Sequence, residues 1–202
     1  MTLPASGSLK SVCVFCGSRS GNDPAFTRAA IELGRTLAER KIRLVFGGGQ
    51  IGIMGSLADA VLAHHGEVTG VIPEALTARE IVHQNVADMR VVDSMHTRKA
   101  LMAKLSDGFI ALPGGLGTFE ELCEVLTWRQ LRIHHKPVAL LNVNGYYSPL
   151  LNMLRTACEN GFMGPENLGF LHVTDSIPAL LGYLETYGHS EPESDAKVQA
   201  LT

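Results

Sequence analysis

The sequence predicts an α/β fold with a doubly wound, mainly parallel sheet and helices on both faces. Short apolar runs alternate with amphipathic segments of helix length, and glycine, proline or small polar residues stand where the pattern changes. Several of the apolar runs are nearly continuous, as expected for strands that are covered on both faces. A chain of 202 residues is long enough to bury a substantial core and fits one domain better than two.

Each element follows from its local pattern. Runs such as SVCVFC, IRLVF and GFIAL predict strands near 11–16, 42–46, 67–72, 88–92, 108–112 and 137–143, with a weaker candidate near 169–173. Helices are predicted between them at 23–40, 52–65, 95–105, 118–132, 147–160 and 177–187. The first helix is marked by Asp23 as N-cap and by Pro24 at the first helical position.

The domain is expected to span residues 1–188, with residues 1–8 loose. Residues 189–202 are polar and lack periodicity, which predicts a mobile C-terminal tail.

Composition argues against several classes of function. A formal net charge of −3 provides no basic field for a nucleic-acid backbone. No apolar run approaches the roughly 20 residues of a membrane-spanning helix, and the first ten residues lack the apolar core of a signal peptide. Cys13 and Cys16 stand three apart in a predicted strand, so they should face opposite sides as buried thiols rather than form a redox pair. A cytoplasmic protein without nucleic-acid or membrane partners is expected.

The glycine loop after the second strand, Gly47 to Gly55, matches G-x-G-x-x-G and leaves a dinucleotide site open. The match is weak, because the acid that should hold a ribose is badly placed: Glu67 begins its strand, and Glu74 comes late. The alternative is a set of tight turns in which glycine lets helix and sheet approach closely. A Walker-type loop is excluded because no Gly-Lys-Ser/Thr follows.

The loop after the fifth strand reads PGGLGTFEE and resembles a binding site for one phosphate. Gly114, Gly115 and Gly117 can present backbone N–H groups at a helix start, where Thr118 adds a hydroxyl. The alternative is a capping box, in which Thr118 caps the helix and Glu121 reaches back to it.

Arg98 and Lys99 stand near the start of their own predicted helix, where the macrodipole disfavours cations. A bound anion would remove that cost; a solvated basic face is the alternative. Neighbouring strand ends should bring this basic pair and the acidic pair Glu120 and Glu121 to one rim of the sheet. We therefore expect anion-binding groups and a carboxylate to share one pocket.

These motifs together resemble the LOG ("Lonely guy") family of cytokinin riboside 5′-monophosphate phosphoribohydrolases. The resemblance rests on MHTRK and PGGLGTFEE, together with CGSRSG, VFGGGQIGIMG and VIPEALTARE, in order over residues 10–187. It implies a Rossmann-like fold, a homodimer, no cofactor, and hydrolysis of the bond between an adenine-type base and ribose 5-monophosphate. Members of this family are often labelled lysine decarboxylases, but no lysine here stands in a recognisable pyridoxal phosphate setting.

The resemblance also implies the site residues. The family's catalytic pair falls on Arg98 and Glu121, and its substrate contacts fall on Glu80, Arg98, Lys99, Gly115, Leu116, Gly117, Thr118, Phe119, Glu120, Glu121 and Thr127. In the hypothesis that follows, the loop amides hold the 5′-phosphate, Glu121 faces the ribose, and Arg98 either keeps Glu121 ionised or contacts the nucleotide. Thr127 lies about 240° around the helix from Glu121, so one of the two could face a neighbouring subunit's site.

Another class of function stays open at this point. Related carrier proteins for the molybdenum cofactor share the glycine-rich architecture, so a non-catalytic carrier of a phosphorylated cofactor is the alternative. No metal site is expected, because the pairs His64-His65 and His134-His135 lack the i, i+4 spacing of a helical metal site.

Overall fold

The computed structural model describes residues 9–77 and 82–187, which form a seven-stranded sheet flanked by helices. The predictions for residues 1–8, for the tail at 189–202 and for Glu80 fall outside the described residues. Within those ranges the six strand pairings are all parallel, which confirms the predicted α/β fold class.

The strands match the predicted runs, including the weaker seventh candidate. They are β1 Ser11–Phe15, β2 Arg43–Phe46, β3 Val68–Pro73, β4 Asp88–Val92, β5 Gly108–Ala111, β6 Val138–Leu141 and β7 Leu171–Thr174. Their order in the sheet is β4-β3-β2-β1-β5-β6-β7. The chain therefore builds outward in one direction from β1 and then in the other from β5. The carboxyl ends of β1 and β5 form the switch point at which ligands bind in sheets of this kind.

The predicted helices are all present in the described part of the chain. They are α1 Pro24–Glu39, α2 Gly52–Ala63, α4 Met95–Lys104, α5 Leu116–Gln130, α6 Ser148–Glu159 and α7 Ile177–Thr186. A four-residue helix, α3 Glu74–Thr77, and two short 3-10 helices, Val143–Gly145 and Pro165–Phe170, were not predicted. None of the described helices is long and apolar enough to cross a membrane.

The core has two parts, one on each face of the sheet. Helices α1, α2 and α7 pack on one face together with Val12, Val14 and Cys16. Helices α4 and α5 pack on the other face with Cys13 and Phe15. Cys13 and Cys16 are therefore buried on opposite faces as free thiols, as predicted, and burial raises both pKa values.

Local rules explain how α1 begins. The side chain of Asp23 accepts a hydrogen bond from the N–H of Ala25 at 2.8 Å, and Pro24 takes the first helical position, where no donor is needed. Both features were predicted.

Candidate active site

The switch point between β1 and β5 holds an open cavity of about 470 Å³. The N–H of Gly17 donates to the carbonyl of Pro113 at 3.1 Å and ties the two loops together. The cavity lining includes Gly17, Arg19, Phe26, Ile53, Gly115 and Tyr146. Two glycine-containing loops thus meet where the topology predicts a ligand site.

Helix α5 begins at Leu116 with Gly115 as its N-cap, and no side chain caps it. Thr118 is instead the third helical residue and is buried against Gly114, where an added Cβ would come within 2.1 Å of the Thr118 hydroxyl oxygen. The capping-box alternative is therefore wrong. A Cβ added at Gly115 or Gly117 would meet no atom within 4 Å, so the first turn of α5 is open to a ligand.

The glycines after β2 are used for packing. A Cβ on Gly47 would lie 2.1 Å from the Nη2 of Arg98, and one on Gly52 would lie 2.5 Å from the backbone nitrogen of Arg19. Gly48 and Gly52 also have φ of 82° and 67°, which side-chain-bearing residues rarely adopt. Close packing and turn geometry, the alternative to a dinucleotide fingerprint, explain this loop.

Arg98 is buried, with 6% of its surface exposed. Its Nε donates to the carbonyl of Val71 at 3.1 Å and its Nη2 to the carbonyl of Gly47 at 3.0 Å. The guanidinium is thereby fixed at the carboxyl ends of β2 and β3. A solvated basic face is excluded, and these two carbonyls offset part of the cost of placing a cation near the start of α4.

Lys99 connects α4 to α5. Its exposed fraction is 9%, and its ammonium forms ion pairs with Glu120 and, at 2.9 Å, with Glu124. Burial acts to lower the pKa of Lys99, but hydrogen bonds to the two carboxylates outweigh it and raise that pKa. Lys99 thus remains charged and joins α4 to the acidic residues Glu120 and Glu124 of α5.

Glu121 lies on α5 between these two carboxylates in sequence and is half-buried. Burial raises its pKa from the usual 4.5 to about 7, although the positive charge of Arg98 acts to lower it. Desolvation is the larger of the two effects, so the charge of Arg98, which favours the ionised form, offsets only part of the cost of burial. Among the described residues Glu121 forms no ion pair, so its carboxyl stays available to a ligand.

The lining of this cavity does not include the predicted catalytic pair, Arg98 and Glu121. The cavity opens beside α1 and α2, whose residues Phe26 and Ile53 line it. Arg98 and Glu121 belong to α4 and α5 on the opposite face of the sheet. A ligand that contacted both features would have to extend beyond the cavity along the rim of the sheet.

Thr127 lies away from both features, in agreement with its predicted position around the helix. It lines an apolar groove of about 340 Å³ between α5, α6 and the 3-10 helix Pro165–Phe170. Leu131 and Phe162 near the ends of these helices are 63% and 87% exposed, whereas Trp128 packs against the core. Thr127 therefore cannot reach the glycine loop of its own chain.

Two tyrosines that the sequence analysis did not single out support the glycine loop. The hydroxyl of Tyr146 donates to the carbonyl of Gly114 at 2.5 Å, and that of Tyr147 donates to the carbonyl of Leu112 at 2.6 Å. The sequence hint was a tyrosine pair after the turn residues Asn144 and Gly145 at the end of a strand, but nothing in it indicates which loop the pair contacts.

No group of three or more His, Cys, Asp or Glu side chains suited to a metal is present within 9–77 and 82–187.

Comparison with known proteins adds a second line of evidence. Residues 54–184 match a family model described as "possible lysine decarboxylase". The chain is 50% identical over 188 residues to cytokinin riboside 5′-monophosphate phosphoribohydrolase LOG7 of Arabidopsis thaliana, covering 92% of this chain and 84% of that protein. It is 52% identical over 178 residues to LOG1 of the same plant, covering 88% and 84%.

Among solved structures, the molybdenum cofactor carrier protein of Chlamydomonas reinhardtii matches with a TM-score of 0.68 at 20% identity. That match covers 90% of this chain and 99% of the carrier, and it shows a common fold.

Proposed function

The chain belongs to the LOG family of cytokinin riboside 5′-monophosphate phosphoribohydrolases, and from this membership we propose its reaction. The protein is an N-glycosidase that hydrolyses cytokinin riboside 5′-monophosphates, and AMP as a simpler substrate, to free base and ribose 5-phosphate. The observation that supports this most directly is on α5, which presents an open glycine-rich N-terminus and, one turn later, the half-buried carboxyl of Glu121.

The open N-terminus of α5 suits the phosphate of a nucleotide, and the carboxyl of Glu121 suits its sugar. Backbone N–H groups of Gly115 to Thr118 and the positive end of the helix dipole bind the 5′-phosphate. Glu121 follows Thr118 by three residues, a rise of about 4.5 Å, which is of the order of a sugar ring. The ribose therefore lies over the first turn of α5 with its anomeric carbon toward Glu121, and Lys99, Glu120, Leu116 and Phe119 surround it.

The chemistry requires a carboxyl at this place. Breaking the N-glycosidic bond leaves positive charge on the anomeric carbon, which a nearby carboxylate stabilises. The electron pair of that bond leaves with the adenine-type base, which takes up a proton from solvent. Water then adds its hydroxyl to the anomeric carbon, and the remaining proton of the water goes to a carboxylate. A carboxyl with a pKa of about 7 can accept this proton near neutral pH and release it again. Arg98 supplies the positive charge that keeps part of Glu121 ionised in spite of its burial.

We also propose a homodimer whose site is completed across the interface. Thr127 is one of the family's substrate contacts, yet it lines the apolar groove instead of the glycine cavity. A second copy packed on this groove would bring Thr127 to the partner's nucleotide. The four cysteines are free thiols, which supports a reducing, cytoplasmic location.

The test is release of base from AMP and N6-isopentenyl-AMP, followed by chromatography. Glu121→Gln keeps the shape but cannot take up a proton, so kcat should fall by about 10²- to 10⁴-fold. Glu39→Gln on the exposed surface of α1 is the matched control and should retain full activity. Turnover by Glu121→Gln at the wild-type rate would contradict the role of Glu121. Nucleotide binding without turnover by the wild type would indicate a carrier.

A further inference from the structure

The glycine loop has an unusual arrangement of its peptide groups. Four successive carbonyls, from Leu112 to Gly115, accept hydrogen bonds from within the protein. The donors are the Tyr147 hydroxyl, the Gly17 N–H, the Tyr146 hydroxyl and the Phe119 N–H, in that order along the loop. In contrast, the N–H of Gly115 has no acceptor among the residues that the structure describes.

The carbonyl contacts determine where the amides point. A trans peptide unit is planar, so its C=O and N–H point in opposite directions. The Gly114 carbonyl and the Gly115 N–H belong to the same peptide unit. When Tyr146 holds that carbonyl, the Gly115 N–H must point away from the Tyr146 hydroxyl. The space beside Gly115 is open, because a Cβ there would meet no atom within 4 Å.

This peptide unit needs an external restraint because it lies between two glycines. Glycine adopts conformations that are closed to other residues, so a Gly-Gly peptide can rotate at little cost. A rotated peptide unit would present the Gly114 carbonyl oxygen to the phosphate in place of the Gly115 N–H. The carbonyl oxygen would repel the phosphate, whereas the N–H attracts it. The opening turn of α5 is thus a phosphate site only while this peptide is held.

We propose that the Tyr146 hydroxyl is a positioning group that keeps the Gly114–Gly115 peptide in the phosphate-binding orientation, and so favours nucleoside monophosphates over nucleosides. This rests on the proposed function, because it assigns the phosphate of the substrate to these amides. Tyr146 touches no reacting atom and acts through the peptide that it holds.

The surroundings of Tyr146 make it suitable for this role. Its ring packs edge-on against the rings of Phe26 and Tyr147, with centroid distances of 5.5 Å and 5.0 Å. It also stacks with the ring of Phe119 at a centroid distance of 6.4 Å. Three aromatic neighbours fix the ring, so the hydroxyl is presented at one place. Phe119 belongs to α5 itself, which couples the ring to the helix that begins at the loop.

Tyr147 provides a matched control for this proposal. It donates the same kind of hydrogen bond to the same loop, but its acceptor is the carbonyl of Leu112. The nitrogen of that peptide unit belongs to Pro113, which has no N–H to direct. Loss of the Tyr147 hydroxyl should therefore weaken the fold without altering any amide that faces the phosphate.

The experiment compares Tyr146→Phe and Tyr147→Phe with wild type, using AMP and adenosine as substrates. We expect Tyr146→Phe to raise KM for AMP by about tenfold, the effect of losing one hydrogen bond to a charged group, and so to reduce the preference for AMP over adenosine. Tyr147→Phe should lower the melting temperature at least as much as Tyr146→Phe does, and it should leave KM for AMP at its wild-type value. A wild-type KM in Tyr146→Phe, or equal KM increases in both variants, would overturn the proposal.

A binding measurement separates this proposal from the enzymatic one. If wild type does not hydrolyse AMP, the proposed reaction fails, but calorimetric titration with AMP still tests the Tyr146 contact. The same tenfold weakening in Tyr146→Phe alone supports it. Equal dissociation constants in wild type and Tyr146→Phe refute it.

Discussion

At the scale of single residues, Glu121 is subject to two opposing effects. Burial disfavours its ionised form, while the charge of Arg98 favours it, and the balance places the pKa at about 7 instead of the usual 4.5. Because the pKa is raised in the folded state, the folded protein binds a proton more tightly than the unfolded chain does. The contribution of Glu121 to stability is therefore lost as pH rises from about 4.5 to about 7.

This balance predicts how Glu121→Gln affects stability. Because the glutamine never ionises, the variant should be more stable than wild type at pH 8, by on the order of 2 kcal/mol after allowance for the partial exposure of the site. At pH 4 the two proteins should differ little. Urea denaturation at the two pH values measures the difference in the free energy of unfolding between variant and wild type. An equal difference at both pH values would show that the pKa of Glu121 is not raised.

The sequence permits part of this site to be predicted and not the rest. The glycine loop and the carboxyl of Glu121 follow from residue types and spacing, which is why PGGLGTFEE already indicated a phosphate site beside an acid. The pKa of Glu121 does not follow, because the cost of burial depends on packing between α4 and α5. The contact of Tyr146 with Gly114 joins positions 32 residues apart and leaves no local pattern.

At the scale of helices and strands, Lys99 is the connection between α4 and α5. It pairs with Glu120 and Glu124, which lie on either side of Glu121 in sequence. Without Lys99, these two carboxylates and Glu121 would repel one another on adjacent turns of α5.

Lys99→Met should therefore destabilise the fold by about 1–2 kcal/mol, less than for a fully buried pair because Glu120 is largely exposed. Lys104→Met is the control, since Lys104 is exposed on the same helix and has no ion pair in the described ranges. Chemical denaturation of both variants gives the comparison. Equal stabilities would mean that Lys99 does not link the helices energetically.

The boundary of α5 shows where prediction from sequence stops at this scale. The helix was predicted to begin at 118, because Thr118 resembles a cap, yet it begins at Leu116. Gly115 caps it with no side chain, so residue type leaves no sign of the true start. The two extra residues extend the amide-bearing turn toward the cavity.

At the scale of the whole molecule, the groove between α5 and α6 predicts self-association. Leu168 lines the groove, and Leu168→Asp would place a charge on a surface that we propose to be apolar and shared by two copies. Sedimentation at micromolar concentration should show a wild-type dimer and a Leu168→Asp monomer of reduced activity, because Thr127 would no longer reach a partner's site.

Ile31→Asp is the matched control for the groove. Ile31 is 46% exposed on α1, on the other face of the sheet, and its substitution should leave the dimer intact. A monomeric wild type would remove the basis for a site shared between subunits.

The position of β1 in the sheet also governs how the protein folds. In the sheet of the described residues, strands β1 to β4 pair among themselves, as do β5 to β7. The two sets of strands join through the β1–β5 pairing, which runs from Val12 opposite Gly108 to Phe15 opposite Ala111. This pairing closes a loop of nearly half the chain and is therefore entropically slow. Because residues on both sides of this β1–β5 seam line the glycine cavity, we expect nucleotide binding to be recovered only once β1 and β5 have paired during refolding.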